Sequence, residues 1–490
     1  MAGRVWKAQR LWSATQLPSA SKAIKYRQSS YSDHCRGLAT VVERNEFGLT
    51  TAVKDPYWRK IPMWKDMPSD VFIKYEFQAI LPDILPLSKN PLLHRVKTRD
   101  DFIRDAKEGL EIAPMTIRLT PQILSRVNWE SPLDDPIRLQ FLPLKSGIRP
   151  DHAALTVDSL EEEADSRGTT NVIDKKPQRP TKARWDIIFD HIEKDKTIKD
   201  IVLSGGDCYY LSSEDLQMIG QRLLKIPHIR RFRIASKGLA VAPSRVLDET
   251  DTWTKTLIDL TRQGRELGKQ VCWHTHFNHP SEITWITREA ARYLFGQGVI
   301  IRNQSVLLKG VNDDFETMRT LIESLADMNV QPYYVYQCDQ VRGIEDLRTP
   351  LKTIRNLDKR LRGTLSGFMM PSFVVDLPGG GGKRLVSTAE DYDETTGVST
   401  WRAPGLPGEK GQKTYTYHDP HPWEPTDQNI QKLHEAQNIM YKNKTTRPGK
   451  LSTDHDKIFK DKTDLHASGM DAINPIIDPT ISSAYISPSQ

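Results

Sequence analysis

From Asp200 onward, short apolar runs alternate with amphipathic stretches at a regular spacing. Ile201, Val202 and Leu203 predict a strand that ends in Ser204, Gly205, Gly206 and Asp207. Ser212, with Asp215 three residues on, then opens a helix lined by Leu216, Ile219 and Leu223. The pattern repeats. Strands are predicted over 232–234, 270–277, 299–308, 333–338 and 373–376. The helices between them are marked by Trp253, Leu257 and Leu260, by 288–295, by Met318, Leu321, Ile322 and Leu325, and by Ile354, Leu357 and Leu361. Strict β-α alternation predicts a parallel sheet, and a barrel is its natural closure. The fold class is therefore α/β, a partial parallel β/α barrel over 200–385. In such barrels chemistry gathers at the C-terminal strand ends. The polar clusters fall there: 204–207, 276–279, Asp339 and 376–383.

The flanks read differently. Residues 41–150 are rich in Trp and Pro and predict a mostly helical region, with a short charged helix over 100–111. Residues 151–199 hold an acidic run, a Pro-rich basic run and then an amphipathic helix with Trp185, Ile188, Phe189 and Ile192 on one face. No strand is predicted between Gln140 and that helix. A crossover helix without its strand is half of a βαβ unit, so the first barrel strand is read as missing. A short hairpin is expected within 386–425, and a disordered tail over 426–490 with one helix near 428–441.

Composition narrows the function. The 490 residues carry 69 Lys and Arg against 63 Asp and Glu, a net charge of +6 that is spread along the chain. That distribution gives no support to nucleic-acid binding, and no run of eighteen apolar residues predicts a membrane span. The four cysteines, Cys35, Cys208, Cys272 and Cys338, are far apart, which argues against a disulfide framework and a CxxC metal site. The first 32 residues lack Asp and Glu but carry six Lys and Arg among Ser and Ala. Residues 1–40 therefore read as a mitochondrial transit segment, with a cytoplasmic protein as the alternative.

The most pointed stretch is Phe373 to Asp376 running into Leu377, Pro378, Gly379, Gly380, Gly381, Gly382 and Lys383. Three readings compete. A Walker A loop would need a glycine at Leu377 and Ser or Thr at Arg384, so a nucleotide loop does not fit. A glycine-rich surface turn is the bland alternative. The third is a lysine for covalent attachment of pyridoxal phosphate, on a flexible loop whose amides turn toward anionic oxygens.

Five motifs in order carry a resemblance: Leu203, Ser204, Gly205, Gly206 and Asp207; His274, Thr275, His276, Phe277, Asn278, His279 and Pro280; Asn303 through Asp313; Tyr336, Gln337, Cys338 and Asp339; and Val375 through Lys383. Together they resemble the lysine 2,3-aminomutase family, from about Trp58 to Lys383. The resemblance implies a radical S-adenosylmethionine enzyme that uses pyridoxal phosphate to move an amino group of L-lysine from C2 to C3. It implies that Lys383 is the Schiff-base lysine. Asp339 and Asp376 match the two carboxylates that hold the substrate's ε-ammonium. Ser204, Gly205, Gly206 and Asp207 match the loop on the methionyl end of S-adenosylmethionine. The histidines of 274–279 fit a hydrogen-bonded structural role or a cofactor contact equally. The partner expected is a small molecule, not nucleic acid or membrane, and a homo-oligomer is allowed.

The departure lies in the 4Fe–4S cluster. The family binds it through CxxxCxxC after the first barrel strand, and no such motif stands in this sequence. The family's basic residues for the substrate carboxylate and the phosphate lie around that strand, and are expected to be absent too. Cys338 neighbours Asp339, so alternation turns it outward and away from any rearranged cluster. Two readings follow. In one, the gene model or transcript has skipped a segment near 166–168, and this chain is inactive as written. In the other, a non-catalytic pyridoxal phosphate- or lysine-binding protein has lost the cluster.

Overall fold

A computed structural model of the chain describes residues 81–113, 120–156, 159, 182–204, 207–423 and 425–445. The expected transit segment, the acidic and Pro-rich runs of 160–181, Gly205, Gly206 and the tail beyond 445 lie outside the described residues.

The architecture is α/β. Seven strands form one curled sheet in chain order: β1 Asp200–Leu203, β2 Arg231–Ala235, β3 Gln270–Thr275, β4 Ile300–Leu307, β5 Val330–Gln337, β6 Ser372–Leu377 and β7 Gly382–Leu385. β1 to β6 run parallel, and the sheet makes a half-barrel. Described helices are α1 Arg99–Ile112, α2 Pro136–Phe141, α3 Lys182–Lys194, α4 Ser213–Lys225, α5 Thr252–Glu266, α6 Trp285–Gly296, α7 Phe315–Asp327, α8 Leu351–Leu361 and α9 Asp427–Thr445. Their starts follow local chemistry. Ser212 accepts the Asp215 amide, Asp251 that of Trp253 and Asp314 that of Thr317, each satisfying an otherwise orphaned first-turn donor.

Strand alternation sorts the two faces. Ile201, Phe232, Ile234, Trp273, Ile301, Val335, Phe373 and Val375 are buried in one core with Leu216, Leu223, Trp253, Leu257, Leu321 and Leu357 from the helices. Trp253 and Trp273 are fully buried, and each indole N–H donates to a backbone carbonyl, of Cys208 and Ser236. Burying an indole without such a partner costs about 1–3 kcal/mol. The opposite, concave face carries the polar residues.

Two expectations need correction. The glycine run is not a flexible loop, because Lys383 lies on β7, which pairs antiparallel with β6 and sets Lys383 opposite Asp376. The hairpin expected beyond it is present, β9 Val398–Arg402 against β10 Thr414–His418, and β8 Asp391–Asp393 adds a third antiparallel strand. Proximity of chain ends across a short turn favoured antiparallel pairing in both places. The strand predicted over 333–338 begins at Val330, because Asn329 ends the preceding turn with a positive φ of 59°. The helix near 428–441 is present as α9.

Among the described residues, no strand pairs with the outer edge of β1. The chain before α3 takes another course. Thr156 bridges Val341 beyond β5, its N–H donating to the Gln340 carbonyl and its carbonyl accepting from Arg342. Ser159 accepts the Gly379 amide. That segment is therefore tied to the β5–β7 side of the mouth.

Candidate active site

The β6–β7 turn explains its own glycines. Gly379, Gly380 and Gly382 have φ of 75°, 77° and 70°, a region costly for residues with a Cβ. At Gly381 a Cβ would stand 2.7 Å from the Leu377 Cβ and 2.8 Å from the Tyr415 ring. The turn is built to reverse the chain in minimum space, which puts Lys383 directly across from Asp376. Lys383 Nζ donates to Asp376 Oδ2 at 2.7 Å. The carboxylate is nearly buried while the lysine side chain is 44% exposed, so Lys383 is reachable from the mouth.

Tyr336 is the hub around which the expected residues meet. Lys383 Nζ lies 5.7 Å from the Tyr336 ring centroid. Burial, then the charge of Asp376 and that of Asp339, holds the Tyr336 phenol well above the usual range. Asp339, Asp376 and Lys383 thus converge at the C-terminal end of β5 and β6. Cys338 turns the other way and is buried with Leu308 and Val311.

One layer deeper, Tyr334 stands on Tyr336 with centroids 5.4 Å apart, and Tyr333 lies 4.0 Å from Tyr334. A register shift opposite Asn303 and Gln304 is what brings adjacent tyrosines together. His274 packs 5.4 Å from Tyr333, and its Nδ1 is 3.1 Å from the Gln304 side-chain amide. Burial, then Arg233 and Arg302, pushes His274 down to about 3. His276 is likewise pushed down to about 3, by burial and then Lys237. Both rings are neutral at neutral pH. His279 instead accepts the Ser281 amide and caps a short turn.

In the first motif, Asp207 has a framework role. Asp207 accepts the amides of Tyr209 and Lys237 with its two oxygens, at 2.8 and 2.9 Å, and burial raises its carboxyl. It thereby joins the end of β1 to that of β2. Ser204 lies at the end of β1, and Gly205 and Gly206 are outside the described residues. Much of the asparagine-rich motif is also framework. Asn303 is hydrogen-bonded to both the N–H and carbonyl of Phe277, and Asn312 donates to the carbonyls of Asn278 and Val306. These bonds fix the 275–278 turn against β4.

Sequence reasoning missed Tyr333, Tyr334 and Arg302, and gave Tyr336 no role beyond its motif. Their signal was present as two-residue alternation: Arg302 and Gln304 on β4, and Tyr334 and Tyr336 on β5, share the concave face.

Three buried free cysteines, Cys208, Cys272 and Cys338, are pushed up to about 12 by burial, which disfavours the thiolate a metal needs. Among the described residues no group of three or more His, Cys, Asp or Glu is arranged to hold a metal ion. What the mouth offers is an accessible amine paired with a carboxylate, a second carboxylate nearby, and an aromatic wall.

No family model matches the chain. Among curated proteins, it is 34% identical over 351 residues to the L-lysine 2,3-aminomutase of Clostridium subterminale, covering 66% of this chain and 78% of that one. It is 34% identical over 314 residues to the L-lysine 2,3-aminomutase of Acetoanaerobium sticklandii, covering 58% and 72%. A glutamate 2,3-aminomutase of Clostridioides difficile is 35% identical over 210 residues, covering 42% and 47%.

Proposed function

The chain belongs to the lysine 2,3-aminomutase family, and we propose that its half-barrel is built to carry pyridoxal phosphate on Lys383 and to select L-lysine through Asp339 and Asp376. The observation that carries this reading is the Lys383–Asp376 pair beside Tyr336, at the C-terminal mouth. When bound, pyridoxal phosphate would supply a conjugated π system to the migrating amino nitrogen. The chain's own residues do the rest. Lys383 presents a primary amine from β7, which is paired with β6. Tyr336 closes one wall with an apolar face. Asp376 already holds an ammonium at 2.7 Å, namely that of Lys383. The ε-ammonium of a bound lysine would meet the same carboxylate, with Asp339 as the second acceptor. An uncharged amino acid would forgo the charge-assisted hydrogen bonds that an ε-ammonium makes to the two carboxylates, a difference of several kcal/mol. Glutamate would add a third negative charge.

The 4Fe–4S cluster does not fit. The sequence lacks CxxxCxxC, and the described cysteines are buried and held as thiols. In this reading the chain as it stands has the cofactor anchor and the substrate carboxylates without a radical source, and a segment skipped near residues 166–171 accounts for it. Genomic sequence across those codons is expected to contain a CxxxCxxC reading frame. An unbroken exon there would favour a binding protein that has lost the cluster.

The test of the site itself is calorimetry of the purified chain loaded with pyridoxal phosphate. L-Lysine is expected to bind at least tenfold more tightly than L-norleucine. Asp376→Asn is expected to remove that preference. Equal binding of the two amino acids by the unaltered protein would overturn the substrate reading. Import into mitochondria, the other part of the proposal, is tested by fusing residues 1–40 to a reporter.

A further inference from the structure

Three histidines meet where the chain before α3 crosses the C-terminal extension at the end of β10. The His152 ring lies 4.1 Å from that of His421 and 5.3 Å from that of His418, centroid to centroid. His152 and His418 are half-buried, and His421 is exposed. Other bonds join the same segments. Arg149 donates to the His421 carbonyl, and Asp151 accepts the Gly343 amide. Beyond His152, Leu155 is buried, Thr156 bridges Val341, and the Ser159 carbonyl accepts the Gly379 amide of the β6–β7 turn. The histidines thus stand at one end of a tether whose other end supports the turn leading to Lys383.

The arrangement suits neutral rings. His152 Nδ1 accepts the Ala154 amide at 3.0 Å, so its ring proton sits on Nε2. A second proton has to go onto Nδ1, where it ends that bond and opens the turn into Leu155. Protonated His152 and His421 would also face each other as like charges. The charged groups around them give little relief. Arg149 and Arg348 are the cations that face the cluster, and Glu345, Asp346 and Asp419 are the carboxylates. Glu345 is engaged by Arg348 at 2.8 Å and by the His421 amide. Asp419 accepts from the Leu351 amide and the Tyr392 hydroxyl. Asp151 is exposed to solvent. Burial, then the charges of His421 and His418, lowers His152; burial, then Arg348, lowers His418. Groups lowered on folding stabilise above their unfolded value of 6.5 and lose that contribution as pH falls.

We propose that His152, His418 and His421 form an acid-sensitive clasp, closed while their rings are neutral and opened by protonation of the stack. Closed, it fixes 149–156 against the C-terminal extension and, through Ser159, braces the Gly379 turn. Open, it releases that brace while β1 to β6 stay paired. Nothing in the clasp depends on what Lys383 binds. The response of His274 and His276 to acid is separate, because they belong to β3 and the turn after it.

The experiment is hydrogen exchange of the full chain, read by mass spectrometry and corrected for the intrinsic rate, at about pH 7.5 and about pH 5.5. The amides of Thr156, Arg342 and Gly379 report the tether. Peptides from β3 and β4 report what acid does to the whole chain, and are expected to respond alike in every variant. In the unaltered protein the tether is expected to lose roughly tenfold in protection over that interval, the equivalent of one unit of pKa shift. His421→Phe keeps a stacking ring that cannot titrate, and is expected to reduce the loss to less than about threefold. His418→Phe is expected to act in the same direction. Exchange of the histidine C2 hydrogens follows the titration of His152 itself. It is expected to fall below 6.5 in the unaltered protein and to rise toward that value in His421→Phe, a shift that a merely structural role would not produce. Equal acid loss in the tether of the unaltered and His421→Phe proteins would overturn the clasp. A His152 titration that neither phenylalanine variant moves would overturn it too. So would tether protection lost in both variants already at about pH 7.5, which would make the rings packing alone.

Discussion

Lys383 Nζ is 2.7 Å from Asp376 Oδ2, across a two-strand turn that leaves the lysine half exposed and the carboxylate nearly buried. The pair satisfies Asp376 in the absence of any ligand. It also means that whatever engages the lysine amine frees a carboxylate beside it.

Because Lys383 is well solvated, the pair adds little to folding. A double-mutant cycle with Lys383→Ala and Asp376→Asn, followed by urea denaturation, is expected to give a coupling of about 1 kcal/mol or less. A coupling several times larger would make the pair structural.

Stability should fall in acid because of the two neutral histidines. His274 and His276 are held near 3 in the folded chain, against an unfolded value near 6.5. The unfolded state therefore binds more protons below that value, so their stabilisation is complete above about pH 6.5 and is lost as pH falls toward 3. His276→Gln is expected to flatten the slope of stability against pH in that window by about 1.4 kcal/mol per pH unit, one proton's worth. Denaturant titrations between pH 4 and 7 would check it; the values of 4 and 7 here are roughly the workable window for a folded protein.

The C-terminal extension hangs on a buried ion pair. Arg348 and Glu345 are fully buried and 2.8 Å apart. Arg348 also donates to the Tyr417 hydroxyl and the His418 carbonyl, while Glu345 accepts the His421 amide. Arg348→Ala leaves Glu345 buried and unpaired, and is expected to cost about 3–5 kcal/mol. Chemical denaturation measures this, and limited proteolysis should cut beyond Tyr417 sooner.

In the turn, Gly381→Ala has room for no methyl group against Leu377 and Tyr415. Overpacking of this kind is expected to cost about 1–3 kcal/mol. It should also displace β7, so cofactor binding at Lys383 should weaken together with the melting temperature.

The sequence made the parallel strands legible because each is a short apolar run bounded by polar strand ends, as with Ile201 to Leu203 before Ser204. Linked motifs singled out Asp339, Asp376 and Lys383, and the structure brings them together around Tyr336. The antiparallel β7 was not, because Gly382, Lys383 and Arg384 carry no apolar alternation; only pairing with β6 makes them a strand. Asp207 drew attention as a ligand-loop residue; that its two oxygens also accept two backbone amides depends on β1 and β2 being neighbours and was not legible. Arg302 was invisible for the same reason. One arginine in a strand means little until its neighbours turn out to be Arg233 and His274.

The most direct test of the account is borohydride reduction of the purified chain with pyridoxal phosphate, followed by peptide mass spectrometry. One dominant pyridoxyl adduct is expected, on Lys383, absent in Lys383→Ala and diminished by excess L-lysine. Labelling spread over surface lysines, or undiminished in Lys383→Ala, would contradict it.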